Sequence, residues 1–251
     1  MDLKKWIENI KWYKGNSGAA KELSASKVGD DMLRLYLAKT AKPNKAKSIG
    51  SWYVGSGFHL GMETKLCDES LPFMAAEVSM SKVLSNGWKI TGTADVVNQH
   101  AENIHDYKTL SATSYIKMKR SVKNKSSLVA LQLGTLMWLN DYNGNAFVEC
   151  FITDWKPWRK DHPANGYQQL PVTTYSSQDI EAYLVSKTDQ LQHYIDEKKT
   201  PPECDDVMWI VYEGDRIKLK CQYYCDYSEA CPYFNSHGAK VRNTLTNIGG
   251  W

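Results

Sequence analysis

Asp95, Asp106 and Lys108 are the residues whose types and spacing suit chemistry. They lie in G-W-K-I-T-G-T-A-D-V-V-N-Q-H-A-E-N-I-H-D-Y-K-T, residues 87–109. The stretch reads as two strands about a polar turn at residues 98–103, with strand one ending in Asp95. Residues i and i+2 of a strand share a face, so Asp106 and Lys108 point the same way. Hairpin pairing brings Asp95 to the same spot. Two carboxylates and an amine on one face are costly to bury without a metal or a substrate between them.

The chemistry such a set suits is phosphodiester hydrolysis. That reaction needs a hydroxide and a counter to the charge of the transition state. Mg²⁺ (or Mn²⁺) supplies both and prefers hard oxygen ligands. Asp95 and Asp106 would give carboxylates, and the backbone carbonyl of Tyr107 a further oxygen. Lys108 would orient or deprotonate the water and offset developing charge. Glu77 would complete the site, directly or through a water. Taken singly, each acid is equally a surface carboxylate, and Asp-x-Lys equally a salt pair.

The surrounding elements must position this set. Helical spacing of Leu3, Trp6, Ile7 and Ile10 predicts a helix over residues 3–13. A second is expected over residues 28–37, with Ser24 or Ser26 as its N-cap. Residues 39–47 form a basic loop. A third helix, residues 48–66, carries four glycines and His59, which read alone is either a structural histidine or a ligand. Residues 74–80 read as a strand bearing Glu77. Asn86-Gly87 is a strong hairpin signal, so three to four antiparallel strands come in a row. The strongly basic residues 117–125 lead into an apolar helix over residues 127–140. Gln132, the long polar residue in its middle, is either satisfied by a neighbouring backbone group or a substrate contact. Residues 146–153 and 168–174 read as strands. Residues 176–198 read as a helix, capped by Ser176 with Asp179 and ended by Pro201-Pro202. The predicted class is α+β (mixed α/β), with a central, mostly antiparallel or mixed sheet flanked by helices.

The totals set limits. A chain of 251 residues, 42% hydrophobic and 24% charged, is ordinary for a globular protein with a full core. The net charge of +3 is mild and says nothing about nucleic acid by itself. No apolar run approaches a membrane span, and the charged first ten residues do not read as an export signal. No membrane association is expected, and a cytoplasmic location is. Nine Trp and fifteen Tyr suit base stacking and core packing equally.

Gly92-Thr93-Ala94-Asp95-Val96-Val97, followed by Ile104-His105-Asp106-Tyr107-Lys108-Thr109, resembles the core of the PD-(D/E)XK nuclease superfamily. More narrowly it is similar to the RecB-like and RecE-like exonucleases, many of them phage-encoded. Those proteins carry G-x-x-x-H upstream, matched by Gly55-Ser56-Gly57-Phe58-His59, whose histidine is a metal ligand. They carry a glutamine on the helix after the lysine strand, matched by Gln132. Their tyrosine one turn later is Leu136 here. Leu23-Ser24-Ala25-Ser26 resembles the opening of the phage families. The resemblance spans residues 24–231 and implies a restriction-endonuclease-like core. It also implies a Mg-dependent DNA exonuclease, with Asp95, Asp106, Lys108, Glu77 and Gln132 catalytic and His59, Asp95, Asp106 and Tyr107 at the metal. DNA recombination, repair or end processing would be its setting, and the host cytoplasm its place if it is phage-encoded. A single-strand annealing protein and a homo-oligomer are the partners implied besides DNA. The alternatives are a non-catalytic DNA-binding recombination accessory and an endonuclease on the same core.

Four of the six cysteines fall late in the chain: Cys204, Cys221, Cys225 and Cys231. Without an export signal disulfides are not expected, and the clustering favours a metal site. Tetrahedral Zn²⁺ and a 4Fe–4S cluster both accept four thiolates. Iron–sulfur nucleases of the RecB-like and CRISPR-associated kinds end in a similar trio, with their first cysteine far upstream. This chain has none before Cys67, so Cys204 is the fourth ligand expected. The iron–sulfur cluster is placed ahead of zinc, and both ahead of free thiols. Residues 1–200 are thus expected to form the nuclease core, and residues 201–251 a cysteine-containing segment stapled onto it.

Overall fold

The computed structural model describes residues 21–43, 61, 64, 73–160, 162–205, 209–212, 215–218, 221 and 225–234. The helix expected over residues 3–13 lies outside these. So does that over residues 48–66, save that Gly61 and Thr64 are helical.

A six-stranded mixed sheet forms the centre. Its strands are β1 (Glu22–Ser24), β2 (Met74–Val83), β3 (Lys89–Asn98), β4 (Asn103–Leu110), β5 (Ala146–Ile152) and β6 (Tyr167–Val172). The helices are α1 (Met32–Thr40), α2 (Ala112–Ser121), α3 (Leu128–Leu139) and α4 (Ser177–Asp196). A separate two-stranded hairpin, β7 (Trp209–Tyr212) with β8 (Asp215–Lys218), lies in the cysteine-containing stretch. No described helix is long and apolar enough to cross a membrane. The α+β class with a mixed sheet and flanking helices is as the sequence predicts.

The meander β2–β3–β4 is antiparallel throughout. Its first turn uses Gly87 at φ 82°, a left-handed conformation that glycine adopts without Cβ strain. Asn86 anchors that turn to α4: its amide donates to Thr188 Oγ1 and Asp189 Oδ1, both at 2.8 Å. Strand β3 runs on to Asn98, three residues beyond the end expected at Asp95. Val96 and Val97 continue it because both are buried and pair with His105 and Ile104 of β4.

From β4 the chain crosses over through α2 and α3 and returns as β5 parallel to β4, the kind of pairing that needs a crossover. Ser127 caps α3 by accepting from Ala130 N at 3.3 Å. Along α3, residues 129–139 are all buried except Gln132, because the helix is clasped between the sheet and α4. Burial of side chains such as Leu133, Leu136, Ile180 and Leu184 stabilises this layer by roughly 1.5–3 kcal/mol each.

Two local expectations need correction. The helix expected from residue 28 begins at Met32, and its N-cap position is Asp31. Ser24 and Ser26 belong instead to β1 and a short 3-10 turn, Ala25–Lys27. Buried Leu23, Ala25 and Val28 drive this: they tuck the segment beside β3, where it pairs in parallel. Residues 112–121, expected only to be polar and basic, form helix α2. Buried Ala112 and Tyr115 are three apart and hold one face of it to the core.

Candidate active site

One edge of β3 is shared by two partners. With β2 on the other edge, β1 pairs with residues 89–91 and β4 with residues 96–98. Over residues 92–95 neither strand is paired to this edge, so β3 and β4 separate there. Asp95 stands at the opening. Its Oδ2 accepts the backbone N–H of Tyr107 at 2.7 Å, so a side chain bridges where the ladder stops.

The backbone is distorted at the same level. Ala94 and Val97 pack in one hydrophobic core, yet an odd separation sends residues of an unbroken strand to opposite faces. The alternation therefore slips around Asp95. Nearby on β2, Glu77 adopts φ 49°, with pairs formed on either side at Ala76–Val96 and Val78–Ala94. Such values are uncommon for a non-glycine residue and gather where a sheet is re-aimed.

Asp106 and Lys108 share the face of β4 that looks towards α3. The carboxyl of Asp106 is 3% exposed. Lys108 Nζ lies 2.9 Å from its Oδ1 and 2.8 Å from its Oδ2. Gln132, the half-buried polar residue of α3, donates to Asp106 Oδ1 at 3.4 Å. Burial pulls the Lys108 ammonium down. The charge and hydrogen bond of Asp106 outweigh it, helped by Asp95 and Cys150, and leave the amine above the ordinary lysine range. Lys108 is thus held protonated while the site is as described.

Asp95, Asp106, Lys108 and Gln132 are therefore brought together, by the strand separation on one side and α3 on the other. Glu77 lies on β2 between Ala76 and Val78, which pair with Val96 and Ala94, and is exposed. Tyr107 turns its side chain to the opposite sheet face, in register with Glu149. His59 lies outside the described residues. Two carboxylates with a backbone carbonyl between them are hard oxygen donors of the kind Mg²⁺ takes. Among the described residues no three His, Cys, Asp or Glu side chains are grouped closely enough to hold a metal ion.

The cysteines stand as a loose group. Burial, then Asp31 and the other three thiols, push Cys204 up to about 12. Burial, then Cys225 and Cys231, push Cys221 up to about 11. All four thiols are thus within electrostatic reach of one another. Beside them the buried Lys218 is bonded to Glu203 and to the carbonyl of Tyr233. Cys150 is separate, fully buried on β5 in register with Lys108.

A second polar cluster, on the far face of the sheet, was not foreseen. Glu149 is 3% exposed and accepts from Tyr167 Oη at 2.6 Å and Gln169 Nε2 at 2.8 Å, with His105 Nδ1 at 2.6 Å. Burial raises its pKa, but the bonds from His105, Tyr167 and Gln169 together bring it below the ordinary glutamate value. The available signal was a lone acid inside Ala-Phe-Val-Glu-Cys-Phe-Ile, since buried acids are paired.

No protein-family model and no curated protein matches the chain. Solved structures do. An alkaline exonuclease (LHK-Exo) from Laribacter hongkongensis matches at TM-score 0.48 and 12% identity, over 71% of this chain and 93% of its own. A phage related exonuclease from Haemophilus somnus 129PT matches at TM-score 0.44 and 13% identity, over 71% and 96%. The structure of SSO0001 matches at TM-score 0.52 and 16% identity, covering 92% of this chain and 94% of that one. What this chain shares with SSO0001 is a fold, across nearly the whole of both chains.

Proposed function

We propose that this chain is a metal-dependent deoxyribonuclease of the PD-(D/E)XK kind, acting as an exonuclease on DNA ends in recombination or repair. The observation that carries the reading is the convergence of Asp95, Asp106, Lys108 and Gln132 where β3 and β4 part. A bound Mg²⁺ or Mn²⁺ would supply a water of lowered pKa and a counter-charge for the phosphoryl oxygens. Asp95 and Asp106 would hold it, with the Tyr107 carbonyl and His59. Lys108, kept protonated by Asp106, aims a positive charge at the phosphate and offsets negative charge as it develops. Gln132 fixes the Asp106 carboxylate from the helix side. Glu77, on β2, would complete the site, directly or through a water.

The test is cleavage of end-labelled linear DNA and of a covalently closed circle, with Mg²⁺ or Mn²⁺, by the wild type, Asp95→Asn and Lys108→Ala. Loss of linear cleavage by roughly 10²–10⁴-fold in both variants, with the circle untouched, is the expected result. Equal cleavage by all three proteins overturns the site. Cleavage of the circle makes the enzyme an endonuclease. Metal-independent DNA binding without cleavage makes it an accessory protein.

For the cysteines, the clustering of four thiols late in the chain is the ground for a structural 4Fe–4S cluster, ahead of Zn²⁺, held by Cys204, Cys221, Cys225 and Cys231. Either would fasten residues 201–251 to the core. Anaerobic purification followed by a visible spectrum and metal analysis separates iron from zinc. A protein with neither metal overturns both.

A further inference from the structure

The loop between β5 and β6 carries a largely exposed tryptophan. Trp158 is 75% exposed, whereas Trp88 and Trp138 are buried and Trp155 is partly buried. Tryptophan is highly buried on average, so a ring this open is free to stack on a ligand.

The loop beneath Trp158 is firmly built. Trp155 Nε1 donates to Pro163 O at 2.9 Å, and Lys156 N donates to His162 Nδ1 at 2.9 Å. Two turn bonds follow, Arg159 N to Lys156 O at 3.2 Å and His162 N to Arg159 O at 3.1 Å. At the base, Ile152 N donates to Gly166 O at 2.8 Å. A braced loop presents an aromatic ring at little entropic cost on binding.

The charge along the loop is predominantly positive. Residues 155–166 contain Lys156, Arg159 and Lys160 against one acid, Asp161. The three cations are exposed. Asp154, just before them, is occupied in accepting Ala112 N at 2.7 Å at the start of α2. Further along α2 and the turn after it, Lys117, Lys119, Arg120, Lys123 and Lys125 are exposed as well. From Lys108 to Asn140 the sequence holds no Asp or Glu.

The loop also begins beside the candidate site. Thr153 N donates to Leu110 O at 2.9 Å, and Leu110 is two residues beyond Lys108 on β4. At about 3.3 Å per residue, the loop starts roughly 7 Å along the strand from the lysine. Cations with an exposed aromatic ring are the elements that hold single-stranded nucleic acid, phosphates on the charges and bases on the ring.

We infer that Trp158 is a base-stacking residue that holds a single DNA strand at the mouth of the site, with Lys156, Arg159 and Lys160 on its phosphates. The inference rests on the nuclease reading for the identity of the ligand. Its test is independent of cleavage. Binding of labelled oligothymidine to the full chain is measured in EDTA over a range of salt, for wild type, Trp158→Ala, Trp158→Phe and the triple variant Lys156→Ala/Arg159→Ala/Lys160→Ala.

Trp158→Ala is expected to weaken binding about tenfold with an unchanged salt slope, and Trp158→Phe to restore most of it. The triple variant is expected to reduce the slope by about 2, at about 0.7 per phosphate contact. Wild-type binding by Trp158→Ala overturns the inference. So does a wild-type dimer that Trp158→Ala makes monomeric with DNA binding unchanged, since the ring would then be covered by a second copy. Trp158-dependent binding without Mg²⁺-dependent cleavage sustains the stacking role and removes the nuclease reading. Cleavage with Trp158-independent binding does the reverse.

Discussion

Lys108 embraces the carboxylate of Asp106, its Nζ lying 2.9 Å from Oδ1 and 2.8 Å from Oδ2. Two residues apart on one strand, they form a pair whose acid has almost no access to water while the lysine is partly exposed. An ammonium and a divalent cation are rivals for such a carboxylate. The position of the lysine sets how strongly a metal ion must compete to enter.

Removing the amine should therefore separate stability from activity. In Lys108→Met the buried carboxylate keeps its desolvation cost and loses its counter-charge, so the metal-free protein should lose about 3–5 kcal/mol. Mg²⁺ should then raise the Tm of Lys108→Met by more than it raises the wild type's, while DNA cleavage stays abolished. Thermal unfolding with and without Mg²⁺ checks this. Equal metal-induced shifts in the two proteins would show that lysine and metal do not compete.

Asp95 has two separable duties. Its Oδ2 bonds Tyr107 N across the gap between β3 and β4, and its charge faces the site. Asn keeps an acceptor and removes the charge, so Asp95→Asn should lose cleavage with a stability change under about 1 kcal/mol. Asp95→Ala also strands the Tyr107 N–H, which costs about 1–3 kcal/mol more. Urea unfolding of the two variants reads the difference. Equal stabilities would mean that the amide finds water and that the bond does not hold the strands.

The hairpin that carries Asp95, Asp106 and Lys108 was legible because strand alternation and the polar turn at residues 98–103 are local signals. So was α3, whose one long polar residue, Gln132, reads as satisfied by a neighbouring backbone group or as a substrate contact; its actual partner, the Asp106 carboxylate, was not legible. Nor was the split edge of β3. It depends on β1 pairing with residues 89–91 from far away in sequence, and no local pattern announces a parallel strand of three residues. Helix α2 was hidden by its many cations, because only Ala112 and Tyr115 fasten it. The Glu149 cluster draws its members from three strands, so only the isolated acid in β5 was visible beforehand.

Gly92 shows why the G-T-A-D stretch begins as it does. A Cβ there would meet Leu136 Cδ2 at 2.6 Å and both Ala25 Cβ and Leu139 Cδ1 at 3.1 Å. Helix α3 thus lies directly on the strand that presents Asp95, and the leucine at position 136 fills the space. Gly92→Val should cost about 1–3 kcal/mol by overpacking. It should also lower cleavage by shifting α3, and with it Gln132, from Asp106. A urea midpoint at unchanged m-value gives the first number, and a cleavage rate normalised to folded protein gives the second. Unaltered stability would mean that Leu136 swings aside without moving the helix.

The Glu149 cluster predicts the acid limb of stability. Burial favours its protonated form, but the bonds from His105, Tyr167 and Gln169 prevail and set the folded pKa below the ordinary 4.5. A carboxylate lowered in the folded state adds stability that is fully present above its unfolded pKa. That stability is lost as pH falls through the folded value. In Glu149→Gln this contribution is absent at every pH, so the variant should be less stable than wild type at pH 7, by about 1.5–3 kcal/mol for bonds to a charged group. The gap should narrow below pH 4.5 and close once the wild-type carboxyl is protonated. Unfolding by urea at stepped pH measures both curves. Parallel curves down to low pH would mean that the charge of Glu149 contributes nothing, and that shape alone holds Tyr167 and Gln169 to β5.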